Sequence, residues 1–304
     1  MRRCLVRVLL TLGLLLSVST AGRAASYVFD PIDVPNAVFT VAEGINNRGQ
    51  VVGAYADELF GPNHGFVYNG IGFTTIDFPD GSDTIAFGIN NHGQIVGSYL
   101  SQGQHGFTYR SKKNVFTSID VPSAGVFLTR ANGINNRGQI VGEYLDNSSS
   151  NEQHGFVYDN GLFTSIDVPE AFATSATGIN RVGVIVGFYE DTNGLHGFID
   201  NGNEFTTIDV SFPGASNTSA LGINDRRHIV GIYQDDEVRI HGYIYKNGVF
   251  TSIDFPDAFE TVALGINKRG QIVGFYADGA GVHGFIATPK KKVTNVARVS
   301  QSDP

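Results

Sequence analysis

The chain has no tryptophan, and only one cysteine and one methionine in 304 residues. Both of these, Cys4 and Met1, sit at the extreme N-terminus. There a basic start, Met1-Arg2-Arg3, leads into a largely apolar run from Cys4 to Val18 and then into small residues, Ala21 to Ala25. That order is expected of a secretory signal peptide over residues 1–24. Its apolar core, Val8 to Val18, is too short for a membrane anchor. The remaining 280 residues then carry no cysteine and no disulfide, so packing alone must hold them. That length can supply a single core. The protein is expected to be secreted, extracellular or periplasmic, and monomeric, with no membrane span once the signal is removed.

Positive charge is also scarce. Four of the 21 basic residues lie in residues 1–24, which leaves 17 against 29 acids, a net charge of −12. Such a balance excludes nucleic acid as the expected partner, because phosphates need a basic surface. No run of helical period spans the chain, which excludes a helical solenoid. The missing tryptophan weakens a multivalent lectin with several equivalent sugar sites.

What is abundant is repetition. Gly-Ile-Asn begins at Gly44, Gly88, Gly133, Gly178, Gly222 and Gly265, each time within Thr-x-Ala-x-Gly-Ile-Asn. A polar turn and a segment like Gln94-Ile95-Val96-Gly97-Ser98-Tyr99 follow, then His-Gly-aromatic, then Phe-Thr-x-Ile-Asp. Four short β-rich segments per unit of about 44 residues read as one blade of a propeller. The sixth copy stops after His283-Gly284-Phe285-Ile286, and its missing segment stands at the other end, Phe29-Asp30-Pro31-Ile32-Asp33. The fold expected is all-β: a six-bladed β-propeller of four-stranded antiparallel blades over residues 25–288. The N-terminal strand closes it by pairing in the last blade, and a polar, disordered tail covers 289–304. Thr-x-Ala-x-Gly-Ile-Asn is expected innermost and Phe-Thr-x-Ile-Asp outermost.

The pattern Gly-Ile-Asn-x-x-Gly-x-Val-Val-Gly followed by His-small-Phe resembles the bacterial extracellular repeat family named for its His-Ala-Phe tripeptide. Here Gly replaces Ala in all six copies. The resemblance covers nearly the whole mature chain. It implies secretion and a repeat β fold, and no defined reaction, so it carries over no catalytic residue.

Six pairs of His and Asp recur: His64 with Asp77, His105 with Asp120, His154 with Asp167, His196 with Asp209, His241 with Asp254 and, across the closure, His283 with Asp33. Around the two-residue turns Asn160-Gly161 and Asn247-Gly248 the register sets each His opposite its Asp. One could be part of a catalytic triad. Six copies without a recurring nucleophile instead point to structural latches that hold one end of each blade. A metal ring is excluded by distance: third strands would lie about 16 Å apart, against about 2 Å for a Zn–N bond. No cofactor is expected, with calcium as the one possible exception. Asp191-Thr192-Asn193-Gly194 and Asp278-Gly279 resemble fragments of calcium loops, although neither has the full ligand series.

Departures from the repeat mark the candidate ligand face. Glu43, Arg130 and Asn132 are polar where inner strands are otherwise apolar or small. Asp57, Asp146, Asp191, Asp235 and Asp278 belong to the variable loops between second and third strands. Those loops and the ones entering the inner strands hold 15 acids and one base, while the opposite turns hold 11 bases and four acids. The reading is a secreted, non-catalytic binding or scaffold module. Its partner would be an extracellular protein or glycan, cationic or bridged by a cation, on the acidic face. The alternatives are a propeller lyase or hydrolase with one asymmetric central site, and a multivalent lectin.

Overall fold

The computed structural model describes residues 27–122, 128–146 and 152–290. The expected signal segment and the tail beyond residue 290 lie outside the described residues. The described chain forms 24 strands and no helix. After β1 (Tyr27–Ile32) come four quartets: β2 (Phe39–Ile45), β3 (Val51–Ala56), β4 (His64–Tyr68), β5 (Phe73–Ile76); β6 (Ser82–Ile89), β7 (Gln94–Leu100), β8 (Gln104–Arg110), β9 (Val115–Ile119); β10 (Leu128–Ile134), β11 (Ile140–Leu145), β12 (Gln153–Asp159), β13 (Leu162–Ile166); β14 (Ala173–Ile179), β15 (Ile185–Asp191), β16 (Gly194–Asp200), β17 (Phe205–Ile208). The fifth is β18 (Ser216–Ile223), β19 (Ile229–Gln234), β20 (Ile240–Lys246), β21 (Val249–Ile253). The chain ends in β22 (Glu260–Ile266), β23 (Ile272–Ala277) and β24 (Val282–Pro289).

Within a quartet, neighbours in sequence pair antiparallel. β1 pairs antiparallel with β24 from Tyr27↔Pro289 to Ile32↔Gly284, so it supplies the fourth strand of the sixth quartet. β24 thus runs one residue past the boundary expected for the tail. Three junctions between adjacent quartets are joined by single parallel pairs, Phe39↔Val282, Leu128↔Gln104 and Gln153↔Ala173. The hydrogen-bonded sheets number three, with 8, 12 and 4 strands, and no sheet continues all the way round.

Local chemistry explains the elements. Asn160 and Gly161 have φ of 50° and 90°, and Asn247 and Gly248 of 50° and 83°, the positive pair that a two-residue hairpin turn requires. The two-residue insertion between β8 and β9 lengthens that turn, with Lys113 N donating to Arg110 O at 3.0 Å. In each Gly-Ile-Asn the Asn side chain caps the turn it opens. Asn46 Oδ1 accepts from Arg48 N and Gln50 N, both at 3.0 Å. The Thr that opens each inner strand is buried and accepts from the incoming loop, as Thr40 Oγ1 does from Val34 N at 3.0 Å.

Packing joins the quartets pairwise. Phe66, Phe107, Phe156, Phe198, Tyr243 and Phe285, the aromatics after His-Gly, are wholly buried. Burying each contributes about 2–3 kcal/mol. Each apolar cluster mixes two neighbouring quartets, and one of them sets Ile32 of β1 and Val273 of β23 against Ala42 and Phe66 of the first quartet. Asn267 Nδ2 likewise donates to Asn46 O at 3.2 Å, linking the last inner strand to the first.

Candidate functional site

Two layers of side chains bear on function: a repeated one at the rim and an unrepeated one on the axis. At the rim each expected pair of His and Asp is in contact. The distance from Nδ1 to the carboxylate is 2.9 Å from His64 to Asp77, 3.0 Å from His105 to Asp120 and 2.7 Å from His154 to Asp167. It is 2.8 Å from His196 to Asp209, 2.9 Å from His241 to Asp254 and 3.0 Å from His283 to Asp33. Each ring also lies on a strand-two Tyr, as Tyr144 on His154 with centroids 5.0 Å apart.

The burial of these pairs differs from that of a latch set into the core. Asp77, Asp120, Asp167 and Asp209 are exposed residues, and so are Asp33 and Asp254. Their side chains keep 40–48% of their surface in water. Each of these Asp residues stands just past the outermost strand of its quartet, or past β1 for Asp33, where no further strand covers it. A pair so solvated contributes about 0–1 kcal/mol. Asp33, Asp77, Asp120, Asp167, Asp209 and Asp254 orient their rings, and the buried aromatics beside them supply most of the stability. None of the six Asp residues lines the central cavity described below.

The other imidazole nitrogen engages the loops that were expected to bind a partner. His241 Nε2 lies 3.1 Å from Asp235, His196 Nε2 3.4 Å from Asp191, His154 Nε2 3.7 Å from Asp146 and His283 Nε2 3.7 Å from Asp278. Against a burial that would raise it, hydrogen bonds from Arg239 N–H and His241 hold the Asp235 carboxyl at about 2. The hydrogen bond to Asp254 raises the His241 pKa. Asp191 and Asp278 close their own turns, accepting from Asn193 N at 2.6 Å and Ala280 N at 2.7 Å. Four of the five loop aspartates singled out from sequence therefore brace the rim, and only Asp57 stands exposed without such a contact. Asp146, Glu152 and His154 bring ligand atoms within 4.8 Å of one another, a set that could hold a cation. The Asp146–His154 contact within it recurs at three other rim histidines, His196, His241 and His283.

The axis is different. Each inner strand shifts register between Ala and Gly, as at Ala42/Gly44, so the residue between is bulged. The bulged residues are Glu43, Phe87, Asn132, Thr177, Leu221 and Leu264, and all six line one central cavity of about 280 Å³. Gly44 has no room for a side chain there, since a Cβ would meet the Phe87 carbonyl oxygen at 2.6 Å.

Glu43, Arg130 and Asn132, chosen from sequence, all reach this cavity, and the fold adds Glu143, Ser175 and Thr177. Arg130 Nη1 donates to Glu143 Oε1 at 3.0 Å. Gln153 Nε2 and Ser175 Oγ donate to Glu143 Oε2 at 3.1 and 2.5 Å. Glu143 is only 7% exposed, so these three donors are what make its burial tolerable. Asn132 Nδ2 donates to Ala176 O at 3.2 Å, and Thr177 Oγ1 to Ala220 O at 2.7 Å. Arg130 Nε is buried without an acceptor. Glu43 stands apart, between the Phe87 and Leu264 positions of neighbouring quartets. Burial pushes its carboxyl up to about 7, against the pull of Arg130. Phe87, Phe188, Leu221 and Leu264 add apolar surface to the same cavity.

Glu143 was legible in principle: its equivalents are Ala54, Ser98, Phe188, Ile232 and Phe275, so it is the one charge in its register. Ser175 and Thr177 gave no such signal, because small polar residues suit an inner strand anyway.

No family model matches the chain, and no curated protein does. Among solved structures, a triple mutant of AofleA from Arthrobotrys oligospora is 13% identical, with a TM-score of 0.51 over 90% of this chain and 95% of that one. The Aleuria aurantia lectin bound to Fucalpha1-6GlcNAc is 14% identical, with a TM-score of 0.53 over 82% and 93%. A putative gluconolactonase is 14% identical, with a TM-score of 0.52 over 86% and 92%. The chain is thus an all-β protein whose fold is similar to that of propeller-type structures.

Proposed function

We propose that this chain is a secreted six-bladed β-propeller, closed by β1 in its sixth blade, that holds one small polyhydroxylated ligand of monosaccharide size in its central cavity without turning it over. The closure is supported by the β1–β24 register and by the contacts of Asn267 and Val273 with the first quartet. The ligand reading rests on one observation: unrepeated polar residues from three quartets converge on a cavity that also carries apolar side chains. A sugar offers both kinds of surface, with hydroxyls at its edge and C–H groups on its face. The cavity is small for a ligand pocket, which sets the size class. The named Aleuria aurantia neighbour is a lectin crystallised with a fucose-containing disaccharide, which is compatible with a sugar here.

Binding is favoured over catalysis because both Glu143 oxygens are already engaged. Ser175 donates to a carboxylate rather than to an imidazole. Only Glu43 is left as a free acid or base in the cavity, and a hydrolase of the two-carboxylate type needs two. The test is calorimetric titration of the mature chain with a panel of monosaccharides. One site per chain is expected, lost in Asn132→Leu and weakened in Glu43→Gln. A stoichiometry near six would point to equivalent sites between blades and overturn the reading.

A second reading, an enzyme using one general acid–base group, is favoured by the Glu43 carboxyl, which titrates near neutral pH. Turnover of a bound sugar that disappears in Glu43→Gln while binding survives would establish it.

A further inference from the structure

On the face opposite the His–Asp rim, the six turns joining first and second strands surround the other mouth of the axis. Arg48, Arg137, Arg226 and Arg269 occupy the same position of four of these turns, and His92 holds it in a fifth. Their backbone N–H groups donate to the capping Asn of each turn at 2.9–3.0 Å, which fixes where every side chain starts. Arg181, Arg227 and Lys268 sit beside them. All seven cations are exposed, and none of their side chains forms an ion pair among the described residues. One acid, Asp225, belongs to the same turns, and its Oδ1 accepts from Arg181 N at 3.0 Å. This ring stands on a chain whose acids otherwise outnumber its bases.

We infer that this basic ring is a docking surface for an extended acidic polysaccharide. Charge complementarity selects an anion. The cations are spread over the turns of different quartets around an opening, so a compact anion would meet only one or two of them. A chain laid across the mouth meets several. Arginine predominates, and its fork suits carboxylates, which it binds bidentately. A protein partner would want aromatic or apolar anchors, and Val182 is the one large exposed apolar side chain in these turns. Single-stranded nucleic acid would want aromatic platforms for its bases, and the turns carry none apart from the His92 ring. Among the lining residues of the shallow depression at the centre, Asn180 carries a buried Nδ2 without an acceptor, a donor available to a ligand oxygen.

The test uses the full mature chain and three probes: oligogalacturonate of graded length, uncharged dextran, and a single-stranded oligonucleotide. Oligogalacturonate should bind, more tightly as it lengthens to span several turns, and more weakly as salt rises. Dextran should not bind. Reversing Arg48, Arg137, Arg226 and Arg269 to Glu should weaken binding by about tenfold or more. Since four reversals could perturb the turns, Arg→Gln at the same four positions should lose affinity in the same direction with an unchanged melting temperature. Asp57→Lys with Glu58→Lys on the other face should leave the affinity as it is. Retained binding in both arginine variants, or no binding of oligogalacturonate at low salt, would overturn the surface. An oligonucleotide that binds as tightly as oligogalacturonate would overturn the polysaccharide class.

Discussion

At the rim the six quartets present the same three groups, a His between a Tyr and an Asp, with Nδ1–oxygen distances confined to 2.7–3.0 Å. On the axis the six equivalent bulge positions carry a carboxylate, an amide, a hydroxyl, a phenyl ring and two isobutyl groups. The contrast has a physical source. A rim His and its Asp face each other across two strands of one quartet, so every quartet meets the same local requirement and answers it alike. A bulged residue on the axis faces the central cavity, and no partner common to all six quartets dictates its side chain. The repeated layer sets the geometry of the fold, and the unrepeated layer is where one ligand can be told from another.

This comparison can be tested at several strengths. The largest effect should come from deleting residues 25–36. That strips β24 of its six-residue antiparallel partner and leaves an open edge. The truncated chain should lose its cooperative melt and its monomeric elution. If it kept both, the sixth quartet would not be equivalent to the others.

Next in size are the buried aromatics. Phe156→Ala and Phe285→Ala should each cost about 3–5 kcal/mol in chemical denaturation. The two values should agree within about 1 kcal/mol, because both rings are wholly buried at equivalent places. A large difference would break the equivalence of the repeats.

The axis should respond to pH where the core does not. The Glu43 pKa is raised, so its contribution is fully present below the unfolded carboxylate value near 4.5 and is lost as pH rises through about 7. Glu43→Gln should therefore leave stability unchanged at about pH 5 and raise it at about pH 8 by on the order of 2 kcal/mol. Equal stabilities at the higher pH would show that the carboxylate is better solvated than its surroundings imply.

Tyr243 departs from the phenylalanines at its five equivalents. Its hydroxyl is buried without a partner, and burial pushes its pKa up. Tyr243→Phe should stabilise the fold by about 1 kcal/mol. A loss would reveal a hydrogen bond that the static structure does not contain.

The smallest effect is a single rim pair. Asp254→Ala should cost about 0.5 kcal/mol, since the pair is partly solvated. Asp77→Ala, Asp120→Ala, Asp167→Ala and Asp209→Ala should cost about as little, because their carboxyls are exposed to the same degree. The His241 part of that stability should be full below the unfolded His pKa and fade as pH rises through the raised folded value. The Asp235 part runs the other way: present above about 4, it should be lost as pH falls toward 2. A urea midpoint followed against pH in both Asp254→Ala and Asp235→Ala separates the two arms.

Much of this was legible in the residues because it is local. The bounds of β2 to β5 follow from alternation and turn chemistry. The facing of His241 and Asp254 follows from the register around Asn247-Gly248. The partnership of β1 with β24 follows from a repeat split between its ends. The sequence by itself thus determined the strands, the order of strands within a quartet and which ends must meet. Only the tertiary structure decided how far water reaches the rim: register sets Asp77, Asp120, Asp167 and Asp209 opposite their histidines, and says nothing of what covers them. It alone decided that Arg130 lies opposite Glu143, because the bulge at Asn132 moves the register of β10 by one residue and a simple count around its turn sets Arg130 opposite Tyr144 instead. It also decided that Ser175 of the next quartet completes the site, that Glu43 faces the same cavity from another strand, and that Asp146, Asp191, Asp235 and Asp278 turn inward to the rim histidines. Pairing inside a hairpin is fixed by covalent proximity and a period of two. Contacts between quartets and between loops depend on how the quartets pack against one another, and no spacing in the chain encodes that angle.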